Sequence, residues 1–194
     1  MDILLDLDIL DKEGVYRPDD DSYLLIELIR VEKGDRVLEI GPGSGIISIH
    51  CAIAGGHVTC VDINEDAIAI TKHNAERNDV SLENILVGDM FQPVKGVWDV
   101  IVFNPPYLPM ETAQRDHRWD GGMRGDETIL RFLKEVCEHL DPEGRLYFCC
   151  SDLSPMEEIE GLIYHNFEVK KKKEKKYDFE TLYGFELMHR KENN

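Results

Sequence analysis

No stretch of this 194-residue sequence reaches the roughly 18 consecutive apolar residues that a membrane-spanning helix needs. The opening fourteen residues, MDILLDLDILDKEG, place no basic segment ahead of an apolar one and carry five acids, so they do not read as a secretory leader. A cytoplasmic setting is the expectation. The five cysteines, Cys51, Cys60, Cys137, Cys149 and Cys150, form no CxxC pair and sit among apolar neighbours, as in HVTC and YFCC. That pattern predicts reduced, buried thiols in place of a metal site or a disulfide framework. Positive charge is scarce: 22 Lys and Arg stand against 39 Asp and Glu, a net charge of −17. Such a field repels phosphates and argues against a general DNA or RNA binder. The one basic run, KKKKEKK at 170–176, reads as a solvated edge strand guarded by lysines, in preference to an RNA-facing surface. Repeats, long linkers and other low-complexity tracts are missing. The length suits one domain, 1–194.

What is present is alternation. Strands are predicted at 36–40, 57–62, 85–87, 98–103 and 146–150. Helices are predicted at 45–54, 65–78, 127–140 and 155–165. In the second helix Ile68, Ala69, Lys72 and His73 fall at helical spacing. In the third, Ile129, Phe132, Leu133 and Val136 share a face. Two final strands, near 167–176 and 181–190, are separated by a short turn and should pair antiparallel. The expected fold is α/β: a seven-stranded, mostly parallel, Rossmann-like sheet with a C-terminal antiparallel hairpin. That shape resembles the class I S-adenosyl-L-methionine (AdoMet)-dependent methyltransferases. In open sheets of this kind ligands bind beyond the carboxyl ends of the strands.

Three of those ends carry candidate ligand groups. LEIGPGSGIISI places Glu39, Gly41, Gly43 and Gly45 at the first strand-to-helix turn, where a backbone without Cβ atoms can approach a ligand. The spacing is GxGxG, not the GxGxxG of dinucleotide folds. Asp62 ends the second strand, 21 positions after Gly41, where a carboxylate can accept ribose hydroxyls. Asp89, in VGDMF, ends the third, where an acid can accept from the exocyclic amine of adenine while Met90 packs on the ring. Each feature alone has a plainer reading, as a tight turn or a helix cap. Together, in this order, they favour a nucleoside cofactor.

The fourth strand stops at Asn104-Pro105-Pro106-Tyr107. Two prolines fix two φ angles and remove two backbone donors, leaving a rigid shelf. The Asn104 side-chain carbonyl and the Pro105 carbonyl are two acceptors at a fixed separation. That arrangement suits a planar NH₂ group with two N–H bonds to give. Tyr107 can stack on a flat substrate group and exclude water.

NPPY together with EIGPGSG is similar to amino-methyltransferases that modify planar amides or adenines. Two more stretches narrow the resemblance. GVYRPDDDSYLLIELI, 14–29, resembles the N-terminal motif of the HemK/PrmC family of protein-(glutamine-N5) methyltransferases, and WDGGMRGDETILRFL, 119–133, resembles that family's DGG segment. With only about fourteen residues ahead of Val15, the sequence looks like the short archaeal and eukaryotic branch, which acts on the GGQ glutamine of a class I translation termination factor. The resemblance implies AdoMet as cofactor, bound by Tyr16, Ser22, Glu39, Gly41, Gly43, Gly45, Asp62, Ile63, Asp89, Met90 and Asn104, with 1–30 as a cofactor-capping segment. It implies that Asn104 and Pro105 hold the glutamine amide and that Pro106 and Tyr107 shape the pocket. It also implies a small zinc-binding activator protein at the sheet edge. No catalytic metal is expected.

The sequence departs from the family pattern in Asp19-Asp20-Asp21, an acidic run read as a face that repels nucleic acid and favours a basic protein substrate. The polar 110–118 segment is expected to form a flap, and the glycines in DGGMRG a hinge or docking surface. The predicted third strand, with NILV at 84–87, is apolar for a sheet edge, so an activator or a second copy is expected to pair near Ile85. The alternatives are adenine N6 or guanine N2 methylation of RNA or DNA, protein lysine methylation, and a non-catalytic scaffold.

Overall fold

The computed structural model describes residues 1–106 and 127–191. Tyr107, the 110–118 segment and the 120–125 glycines lie outside the described residues.

Seven strands form one sheet: β1 (Arg36–Ile40), β2 (His57–Asp62), β3 (Asn84–Val87), β4 (Trp98–Phe103), β5 (Leu140–Ser151), β6 (Phe167–Lys176) and β7 (Thr181–His189). Their order is β3-β2-β1-β4-β5-β7-β6. β1 to β5 run parallel, and β7 pairs antiparallel with both β5 and β6. The expected mostly parallel sheet with a terminal hairpin is therefore what forms. β1 and β4 are neighbours, and the chain winds outward from them in opposite directions, which opens a crevice at their carboxyl ends. Among the described residues five helices pack around it: α1 (Asp20–Leu28), α2 (Ile46–Ile53), α3 (Glu65–Arg77), α4 (Glu127–Glu135) and α5 (Met156–Asn166).

The central strands are buried on both faces, as VLEI in β1 and VIVF in β4 require. α4 buries Ile129, Phe132 and Leu133, with Val136 beyond its end, as the spacing predicts. The helix is shorter than expected. Val136–Glu138 tightens into a 3₁₀ turn, and the Trp98 N–H donates to the His139 carbonyl at 2.8 Å, so Leu140 already pairs with Trp98. Asp141 to Gly144 then forms an irregularity before regular pairing resumes at Arg145. α1, which no periodicity predicts, is capped by the Asp19 side chain and buries Leu24, Leu25, Ile26 and Leu28.

Polar demand, and not the Ile68, Ala69, Lys72 and His73 spacing, sets the inward face of α3. Lys72 and His73 are exposed, while Ala67, Ile70, Thr71, Asn74 and Ala75 are buried. The reason lies beneath the helix. Thr71 Oγ1 donates to the Gly43 carbonyl at 3.0 Å, and Asn74 Nδ2 donates to the Ser44 carbonyl at 2.9 Å. A loop of backbone carbonyls needs donors, and α3 supplies them from its inward face.

Asn74 also holds the N-terminal segment. It accepts from the Leu10 N–H at 3.0 Å and donates to the Leu10 carbonyl at 3.1 Å, while Asn78 grips both backbone groups of Asp8. Residues 1–14 thus cross α2 and α3 as a strap, anchored at its start by the N-terminal ammonium on the Ile26 and Ile29 carbonyls.

The acidic run 19–21 does not form a free acidic face. Asp19 caps α1, Asp20 pairs with Lys175 and accepts from Tyr177, and Asp21 is buried against Tyr16. The lysine run is the outer strand β6, as expected, and its lysines pair with Glu168, Glu160, Glu27, Asp20 and Glu174.

Replacing Asn74 with Ala removes hydrogen bonds to two segments and leaves their buried groups unpaired. Urea denaturation of Asn74→Ala is expected to show a loss of roughly 2–4 kcal/mol. A loss below about 0.5 kcal/mol would mean that water replaces these bonds without cost.

Candidate active site

The register of β1 on β4 sets Ile40 beside Phe103, so Gly41 and Asn104 leave the sheet next to each other. β2 lies on the other side of β1, with Val61 beside Ile40, and the Gly41 N–H donates to the Val61 carbonyl at 2.8 Å. β3 completes the rim, with Val87 beside Asp62. Glycine loop, Asp62, Asp89 and Asn104 thus share one edge of the sheet. The opposite rim is closed by ion pairs: Arg36 makes a two-pronged bond to Asp99, and Arg145 reaches Asp35 at 2.5 Å.

Gly41, Gly43 and Gly45 all have positive φ, at 65°, 55° and 84°. Gly45 caps α2, and a Cβ there would stand 2.9 Å from Thr71 Cγ2. At Gly43 a Cβ would stand 3.3 Å from the Tyr16 carbonyl oxygen, so the segment entering α1 lies against the loop. The Tyr16 hydroxyl donates to both oxygens of Asp21 at 2.6 Å. Ser22 is buried, and its hydroxyl donates to Asp21 at 3.2 Å.

Asp62 links the second strand to the loop: it accepts from the Asn64 N–H at 2.9 Å and, more weakly, from the Gly43 N–H at 3.4 Å. Burial raises its pKa, opposed by these backbone donors. Ile63 follows, with its side chain largely exposed. Glu39 is wholly buried and accepts from Ser48 of α2. Burial pushes its carboxyl up to about 7, the Ser48 bond opposes the shift, and the Asp62 carboxylate adds to it. Asp89 stands beyond β3 in an ion pair of 2.7 Å with Arg131 of α4. Met90 is buried with a left-handed φ of 48°, and the turn it makes sends Phe91 into the core.

Asn104 completes the set. Its Oδ1 is buried and, among the described residues, has no hydrogen-bond partner. An orphaned acceptor of this kind costs about 1–3 kcal/mol and points to a ligand that supplies the donor. Pro105 is buried beside it, and Pro106 is half-buried. Among the described residues no group of His, Cys, Asp and Glu could hold a metal ion.

Residues 6–180 match the family described as the methyltransferase small domain. The chain belongs to this family. Within it, the chain is 38% identical over 175 residues to a Methanocaldococcus jannaschii protein provisionally named as a protein N5-glutamine methyltransferase, covering 87% of this chain and 88% of that one. It is 34% identical over 161 residues to mouse Methyltransferase HEMK2, covering 75% of each. Among solved structures, the E. cuniculi Mtq2-Trm112 complex, described as responsible for methylation of the eRF1 translation termination factor, superposes with a TM-score of 0.72 at 25% identity, covering 91% of this chain and 99% of that one.

A methyltransferase of this class takes its methyl group from AdoMet, and the small-domain site fits that molecule. Its glycine loop exposes backbone beside the crevice, two rim acids suit ribose and adenine, and the free acceptor of Asn104 stands where the fourth strand ends. Four contributors escape a reading of motifs: Ser48, Thr71, Asn74 and Arg131. Each acts through another residue of the site. For Thr71 and Asn74, a polar pair at i and i+3 within a helix was the available signal.

A buried acid with a raised pKa destabilises the fold as pH rises from the ordinary glutamate value, 4.5, to about 7, because the unfolded chain releases its proton first. The loss is complete above that window and absent below it. Glu39→Gln is therefore expected to be more stable than the wild type at pH 8, by about 3 kcal/mol at most, and equal to it near pH 4. Urea denaturation at both values checks this. An advantage that does not depend on pH would assign the effect to packing.

Proposed function

We propose that the protein transfers a methyl group from AdoMet to the side-chain amide nitrogen of the GGQ glutamine in a class I translation termination factor. The observation that carries this reading is the buried, unpartnered Oδ1 of Asn104 beside the glycine loop. The names borne by the M. jannaschii and Mtq2 relatives support the choice of glutamine.

AdoMet supplies an electrophilic methyl on sulfur. The chain supplies position. Asn104 Oδ1 and the Pro105 carbonyl accept the two N–H bonds of the substrate amide, which turns the nitrogen lone pair out of conjugation and toward the methyl carbon. As the N–C bond forms, the C–S bond breaks and its electron pair stays on sulfur, giving S-adenosyl-L-homocysteine. The nitrogen, now cationic, is acidic enough to release its proton to solvent. Alignment of the reacting atoms therefore does most of the catalytic work. Pro106 holds the shelf rigid, and the whole chain acts as one catalytic domain. Residues 1–30 are assigned to capping the cofactor, with Tyr16 against Gly43 and Ser22 given to the methionine end.

A small zinc-binding activator pairs with β3. That strand is a sheet edge whose Ile85 and Leu86 are half-buried and whose Val87 is 50% exposed, and it lacks the lysines that guard β6. The Mtq2-Trm112 complex is a precedent for a two-protein enzyme of this fold.

The test is methylation with labelled AdoMet, with and without the activator, on the termination factor and separately on bulk RNA. Label on the GGQ glutamine, located by mass spectrometry, is the expected result; label in RNA overturns the substrate assignment. Asn104→Ala is expected to bind S-adenosyl-L-homocysteine within a few-fold of the wild type while losing about 100-fold or more in turnover. Parallel loss of binding would give the residue to the cofactor or the fold. Ile85→Lys is expected to abolish activator binding, and normal binding would move that interface elsewhere.

A further inference from the structure

We propose that Arg131, on α4, is a positioning residue for the adenine of AdoMet and acts through Asp89. The inference rests on the reading of Asp89 as the acid that receives the exocyclic amine.

The contact is specific. Arg131 Nη2 stands 2.7 Å from Asp89 Oδ2, and Arg131 Nε is held at 3.2 Å by Glu135 Oε1, one turn along the same helix. The guanidinium is fixed at two points, and its planar fork fixes the Asp89 carboxylate in turn. The pair closes through Oδ2, and in the bound state Oδ1 would accept the adenine amine.

The helix that delivers Arg131 is itself held by the site. Its next residue, Phe132, is fully buried, with its ring 4.6 Å from Phe103 and 5.6 Å from Phe91. Phe103 directly precedes Asn104, and Phe91 follows Asp89 by two residues and stacks on His139 at 4.3 Å. α4 is thus braced against the strand that carries the amide acceptor and the turn that carries the adenine acid. A shift of α4 would change both.

The side chains of Arg131 and Asp89 are 43% and 32% exposed, and an ion pair that wet contributes little to folding. Its consequence is the orientation of an acceptor, and orientation reads out as selectivity for the base.

Calorimetry on the full chain, without substrate, compares S-adenosyl-L-homocysteine with S-inosyl-L-homocysteine, which carries a carbonyl in place of the exocyclic amine. The wild type is expected to prefer the adenosyl compound. Arg131→Met is expected to lower that preference by about fivefold, the net value of one ordinary hydrogen bond and part of that of a charge-assisted one. The melting temperature of the free protein should move by no more than about 2 °C. Arg131→Lys should recover part of the preference, and in an Asp89→Ala background Arg131→Met should change it no further. An unchanged preference in Arg131→Met, or an equal drop with Asp89 already removed, overturns the proposal. A wild type that binds neither compound overturns the donor-site reading, and this proposal with it.

Discussion

When β1 pairs with β4, Ile40 stands beside Phe103, and two turns far apart in sequence leave the sheet at adjacent points. That register decides where the glycine loop lies relative to the amide acceptor. A slip of β4 by one residue would turn its buried side chains to the other face of the sheet, where the helices are packed for the present ones. The apolar content of VLEI and VIVF therefore does more than fill a core. It fixes the alignment on which methyl transfer would depend.

Around that junction the structure buries polar groups deliberately. Thr71, Asn74, Ser48 and Glu39 are all inaccessible, and all bond to the glycine loop or to a helix beside it. Each would be costly if left unpaired. Together they hold three alternate positive-φ glycines, Gly41, Gly43 and Gly45, in one conformation, so the loop becomes a preformed cradle. The strap over α2 and α3 extends the same network, because Asn74 satisfies the loop and the N-terminal backbone at once. The site's backbone is thus ordered in part by side chains on neighbouring helices.

The two sheet edges are handled differently, and the difference is chemical. β6 carries lysines that pair with acids from α1, α5 and β6 itself, with Lys172 also over the Tyr183 ring at 4.2 Å. Such an edge resists strand addition. β3 is four residues long and apolar, with no comparable guard in its own sequence. The guarded edge lies far from the rim acids, and the unguarded one ends two residues before Asp89, so a partner on β3 would sit close to the adenine end of the site.

Much was legible from the chain alone. Periodicity and turn residues located all seven strands, the antiparallel hairpin and the α4 face, because strand and helix spacing are local properties. The glycine loop, Asp62, Asp89 and the Asn104 shelf were legible as motifs, because each needs residue types that few other roles require in that order. Local pattern failed where a contact came from elsewhere. It missed α1, whose burial is set by β7 and β5. It did not locate the inward face of α3, which follows the carbonyls of a loop some thirty residues earlier. It read the acids at 19–21 as a free surface, when a cap, a lysine and a tyrosine claim them. The sequence by itself determined which chemical groups the protein carries to its strand ends. Only the tertiary structure decided which of them meet, because partners such as Arg131 and Asp89, or Asn74 and Leu10, are joined by packing between elements and leave no local periodic signal.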